Sequence, residues 1–108
     1  MSDAAERYTR SVMALVDELR SRSGEIRRIA ARHGAKNVRV FGSVARREDT
    51  PESDIDFLIE LDPGRSLFDQ ASLIVELREL LSRDVDVVTE RALKPRVRER
   101  VLADAVAL

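Results

Sequence analysis

The sequence predicts an α/β (α+β) domain, a small mixed sheet backed by helices. The prediction rests on two features. Short stretches such as "NVRVFG", "DIDFLIEL" and "DVDVV" alternate with the period of strands. Stretches with apolar residues at helical spacing lie before, between and after them, and strands alternating with helices imply a layered sheet.

Within residues 4–20, Val12, Leu15, Val16 and Leu19 fall at helical spacing, and "SRSGEIRRIAARHG" carries Ile26, Ile29 and Ala30 to a stop at Gly34. The expectation is two helices, or one bent at Gly24. In "NVRVFG", Val38 and Val40 alternate with Arg39 and Phe41 until Gly42 ends the strand. A second strand puts Ile55, Phe57, Ile59 and Leu61 on one face and Asp54, Asp56, Leu58 and Glu60 on the other, and "DPG" at 62–64 ends it. Residues 67–81 form the clearest helix, with Leu67, Ala71, Ile74, Val75 and Leu81 among its apolar positions. "DVDVV" is the third strand. The last helix follows Pro95, which suits a first turn, and is expected to bury Val97, Val101, Leu102 and Ala105.

At 108 residues the chain is one domain that can bury roughly 65% of its unfolded surface. Residues 1–35 read as an N-terminal helical extension and 36–108 as the core, with no repeat, low-complexity segment or linker. The formal net charge of −1 gives no general argument for nucleic acid or an anionic membrane as a direct partner. The absence of cysteine excludes disulfides and thiolate metal sites. With neither a signal peptide nor a membrane span in the sequence, the chain reads as cytoplasmic.

Residues two apart on a strand point the same way, roughly 6 to 7 Å apart at Cα, so Asp54 and Asp56 can converge above the sheet. Like charges so placed repel unless a cation sits between them, and Mg²⁺ is the hard, oxygen-seeking candidate. In the third strand Asp84 and Asp86 share a face, and if the strands are neighbours a third carboxylate joins the cluster. Such ligands can hold two metals about 3.5 to 4 Å apart, which suits in-line phosphoryl displacement. Gly42 lets a phosphate approach the backbone, and the amide and hydroxyl of Ser43 can bind its oxygens. Alternatively, "TPES" has the form of a helix start and "SDID" the spacing of a capping box. A lone DxD is weak; its combination with a Gly-Ser turn and a carboxylate on a third strand favours the site.

"GS" at 42 and 43, ten intervening residues and "DID" at 54–56 resemble the signature of the polymerase-beta-like nucleotidyltransferase superfamily. The fuller runs "FGSVARREDTPESDIDFLIEL", "SLFDQASLIVELRELL" and "DVDVVTERALKPRVRERVLADAV" resemble the minimal nucleotidyltransferases found as antitoxins beside HEPN-domain toxins. The resemblance covers roughly residues 36–108. It implies a small mixed sheet backed by helices, Mg²⁺ as cofactor, ATP as donor, and transfer of AMP to a tyrosine of a partner HEPN toxin. Carried over by position, Gly42 and Ser43 hold the triphosphate, Asp54 and Asp56 ligate metal, and Asp86 is the third carboxylate. Asp84 stands where that family more often has a basic residue, and Arg47 where it usually has glycine.

Arg46 and Arg47 lie just past the turn, where a guanidinium can meet phosphate oxygens, and Arg46 is the better candidate. His33 reads as a helix C-terminal cation and Tyr8 as a packing residue of the first helix. Arg91, Lys94, Arg96, Arg98 and Arg100 make a basic run, which ordinarily is a solvated helix face. Two rival readings remain: an antitoxin acting by steric complex formation without catalysis, and nucleotidylation of a small molecule.

Overall fold

The computed structural model describes residues 14–108. Val12 and Tyr8 lie outside the described residues. Helices α1 (Leu15–Ser21) and α2 (Ser23–Arg32) lead into β1 (Ala35–Phe41), a short helix α3 (Gly42–Ala45) and β2 (Ile55–Leu61). Then come α4 (Leu67–Leu81), β3 (Val85–Thr89), a 3₁₀ turn (Glu90–Ala92), α5 (Pro95–Asp104) and β4 (Val106–Ala107). The sheet is four-stranded in the order β3-β2-β1-β4, with β2 antiparallel to β1, β1 antiparallel to β4, and β2 parallel to β3. A parallel pair requires a crossover, and α4 supplies it. The expected mixed sheet backed by helices is therefore what forms.

One core joins the helices to the sheet. Val16, Leu19, Ile26 and Ala30 of α1 and α2 pack with Val40, Ile55, Phe57, Val85 and Val87 of the strands and with Leu73 and Leu77 of α4. The alternation expected of β2 is realised by Ile55, Phe57 and Ile59, all buried. Leu58, on the aspartate face, is buried as well. The described part of the segment expected as an extension, residues 14–35, thus contributes to the same core as the strands.

The break between the first two helices falls at Arg22, whose φ of −105° and ψ of 15° leave the helical region, and not at Gly24, which lies inside α2. His33 follows α2 as its C-cap, where a cation is favoured, and its Nε2 lies 3.1 Å from Glu76 Oε2 of α4. The imidazole is the leading reason the Glu76 carboxyl is held below its ordinary pKa, and Arg32 adds to it. "TPES" forms no helix; its turn is closed by Ser53 N donating to Thr50 O at 3.0 Å and by Thr50 N donating to Ser53 Oγ at 2.9 Å.

Helix α4 has the expected limits, and of its apolar positions Ile74 and Leu81 pack against the core. Leu73 and Leu77 are buried, whereas Leu67 is 79% and Val75 53% exposed, and Ala71 is exposed too. Apolar residues stand on all sides of this helix, so their spacing cannot choose the face. Its start is fixed by Ser66, whose Oγ accepts from Phe68 N at 3.2 Å while Ser66 N donates to Asp69 Oδ2 at 2.9 Å. This reciprocal cap satisfies two amides that the helix cannot. Ser66→Ala should cost about 1 kcal/mol and lower the Tm by roughly 4–8 °C in a thermal melt. An unchanged Tm would mean the cap contributes nothing.

α5 also departs from expectation: Val101 is buried, but Val97 is 47% and Leu102 38% exposed. The chain leaves the helix at Ala105, and Val106–Ala107 pair with β1 as a strand that periodicity does not signal. Among the described residues no helix is long and apolar enough to cross a membrane.

Candidate active site

The pairing registers bring the expected residues together at one end of the sheet. Phe41 of β1 is opposite Asp56 of β2, which puts the following Gly42 beside that carboxylate. Asp56 is in turn opposite Asp86 of the parallel strand β3, and paired residues on strands roughly 5 Å apart present their side chains to the same face. Asp54 lies two residues before Asp56, on the lead-in to β2, so its side chain is on that face as well. Asp84 precedes β3, and its carbonyl accepts from Ile55 N at 3.0 Å, extending the ladder beyond the strand ends.

Gly42 turns the chain from β1 into α3 with φ +73°, the left-handed region that only glycine enters freely. A Cβ there would sit 2.5 Å from Asp56 Oδ2. Backbone and carboxylate are therefore in closest approach at this point. Ser43 is the next residue, in the first turn of α3, and its carbonyl accepts from Glu48 N at 2.9 Å, closing the loop behind it.

Asp56 is half-buried, and its carboxyl is pushed above its ordinary pKa, first by desolvation and then by the charges of Asp86 and Asp54. Arg46 partly offsets this, so it is the cation near the cluster. The Arg46 guanidinium is already engaged: Nη1 donates to Asp104 Oδ2 at 2.7 Å and Nε to Glu48 Oε2 at 3.1 Å. Asp86 Oδ1 accepts from Val87 N at 3.0 Å.

Arg47 is exposed on the turn but paired. It holds φ +61°, and its fork donates to both oxygens of Asp17 on α1 at 2.7 and 2.9 Å. The bidentate pair ties the loop to α1 at a position whose backbone suits glycine. Asp17 and Asp104 were not foreseen, because each acts through a partner 30 or 58 residues away in sequence. No local pattern encodes such pairs.

The donor set suits a hard divalent cation: three carboxylates at one sheet end, one of them half-buried among like charges that a cation would neutralise. Among the described residues no three ligating side chains are already drawn round a single point. A cleft of about 960 Å³ opens elsewhere, at the other ends of β2 and β3 between Ile59–Gly64 and Thr89–Leu93, and borders none of these aspartates. Its size does not make it the reactive site, since the convergent carboxylates and the close backbone turn lie at the opposite ends of those strands.

The profile of the nucleotidyltransferase domain family matches residues 23–108, from α2 to the last residue. A Methanocaldococcus jannaschii protein named as a candidate protein adenylyltransferase is 44% identical over 78 residues, covering 72% of this chain and 84% of the relative. The protein adenylyltransferase MntA of Thermococcus cleftensis is 35% identical over 75 residues, covering 69% of this chain and 76% of its own. A solved structure described as a candidate minimal nucleotidyltransferase superposes with a TM-score of 0.78 at 49% identity, over 91% of this chain and 99% of its own. A crystal structure of a toxin-antitoxin with AMP-PNP shares the fold at 20% identity, with a TM-score of 0.68 over 78% of this chain and 69% of its own. The match spanning α2 to β4, together with relatives of this identity, makes the chain a member of the nucleotidyltransferase domain family and an enzyme of that class.

Proposed function

We propose that this chain is a Mg²⁺-dependent protein adenylyltransferase that moves AMP from ATP to a tyrosine hydroxyl of a partner HEPN toxin and so acts as its antitoxin. The observation that carries the reading is the register that sets Asp56 against Asp86, with Gly42 packed on the Asp56 carboxylate. Relatives named protein adenylyltransferases support the reaction class. Fold-level likeness to toxin-antitoxin complexes, one described as a tri-AMPylated HEPN toxin with its MNT antitoxin, supports the choice of partner.

In this mechanism Gly42, lacking Cβ, lets the triphosphate reach the backbone, and the Ser43 amide and hydroxyl donate to its oxygens. Arg46 offers a guanidinium to the same group. Asp54, Asp56 and Asp86 would hold Mg²⁺, two ions by the number of carboxylates, which supplies neutralisation of phosphate charge. Asp86 accepts the proton of the incoming hydroxyl. The hydroxyl oxygen bonds to the α-phosphorus, the bond from that phosphorus to the bridging oxygen breaks, and pyrophosphate leaves. Catalysis is then positioning and electrostatics, which a domain of this size can supply.

The test is calorimetric titration of ATP into the chain, with Mg²⁺ and with EDTA, followed by co-expression with the toxin. Binding is expected only with Mg²⁺, and the Asp54→Asn, Asp56→Asn double variant should lose both binding and protection. Protection retained by that variant would replace catalysis with steric neutralisation.

A further inference from the structure

Charge is unevenly placed in this chain. Residues 91–100 carry five cations and one carboxylate, Glu99, so they hold +4 while the other 98 residues hold −5 to make the chain's −1. Elsewhere cations are commonly answered: Arg22 by Glu25, Lys36 by Asp62, Arg65 by Asp69. Within the segment Arg98 meets Glu90 at 3.0 Å, but Arg91, Lys94, Arg96 and Arg100 are exposed and form no ion pair among the described residues. α5 sets Arg96 and Arg100 four residues apart on one face, with half-exposed Val97 beside them. The helix runs about 15 Å to Asp104, which holds Arg46 at 2.7 Å. These cations therefore run from the cleft end of the sheet, where Arg91 follows β3, to Arg100, about one turn before Asp104 at the end that carries the carboxylates.

We propose that this face of α5 and the preceding turn is a docking surface for an acidic face of the protein acceptor. The inference rests on the reading that the acceptor is a protein. An acidic face would neutralise these four cations, unpaired among the described residues, and Val97 would add apolar contact. Nucleic acid fits less well: residues 91–108 contain no Phe, Tyr, Trp or His on which a base could stack, and the remainder of the chain is net negative.

The experiment is fluorescence anisotropy of a labelled glutamate-tyrosine copolymer, and separately of a labelled oligouridylate, titrated with the full chain at low ionic strength. The copolymer should bind the wild type. Arg96→Glu with Arg100→Glu should weaken it by about tenfold or more while Mg²⁺-dependent ATP binding persists as the check on folding. The copolymer is titrated without ATP or Mg²⁺, so failure of the transfer reading would leave this signal intact. The proposal is overturned if the wild type does not bind the copolymer, if charge reversal leaves its affinity unaltered, or if oligouridylate binds more tightly than the copolymer.

Discussion

Asp56→Asn should reduce label transfer from α-phosphate-labelled ATP by about 10²–10³-fold, and should at the same time make the metal-free protein more stable at neutral pH. The two effects share one cause. Asp56 is half-buried and faces Asp86 and Asp54, so its charged form is costly in the folded chain and its carboxyl sits above the ordinary pKa. The sign follows from linkage. Between the ordinary carboxylate pKa and the raised folded value, the folded state binds more protons than the unfolded one, so stability falls as pH rises through that window. Above it the full repulsion is present. The amide carries no charge, so the variant should melt higher than wild type in EDTA at pH 7 and should lose that slope. Mg²⁺ should raise the Tm of the wild type and not of the variant. Retained transfer, or a lower Tm in EDTA, would remove Asp56 from the role given to it.

Gly42→Ala should be damaging in both respects. The position holds φ +73°, where an L side chain costs about 1–2 kcal/mol, and the new Cβ would come within 2.5 Å of Asp56 Oδ2. Either the carboxylate moves or the turn does, and a displacement of about 1 Å in a catalytic group can cost roughly 10²-fold in rate. The expected outcome is a Tm lowered by roughly 4–16 °C, with transfer reduced about 100-fold and ATP binding weakened in calorimetry. The two variants thus lose activity with opposite changes in metal-free stability, which separates loss of a charge from loss of a shape. A Gly42→Ala protein with normal melting and transfer would mean that the approach of turn and carboxylate has no function.

Strand periods were legible because Ile55, Phe57 and Ile59 are buried on one face, which enforces alternation. The start of α4 is fixed by Ser66 and Asp69, a cap that local sequence encodes. The Gly-Ser turn, DxD and the third-strand aspartate could each be placed on an element, but their meeting depended on sheet order, which a local pattern does not carry. The inward face of α4 was not readable from a helix apolar on all sides. Nor were the partners of Arg46 and Arg47, since ion pairs between distant segments leave no periodic trace. The two-residue strand β4 is too short to show a period of its own.

The parallel pairing of β2 with β3 also orders how the site is assembled. Gly42, just past β1, and Asp56 of β2 lie across an antiparallel pair joined by residues 42–54, so their approach needs only a modest loop closure. Asp86 arrives only after the chain has passed through α4 and returned to the far side of β2, a non-local contact that closes slowly. The charge of Asp86 is therefore added to that of Asp54 and Asp56 only where β3 pairs with β2. A cation bound between the two strands would thus favour the pairing of β3 with β2 as well as the site the pairing builds.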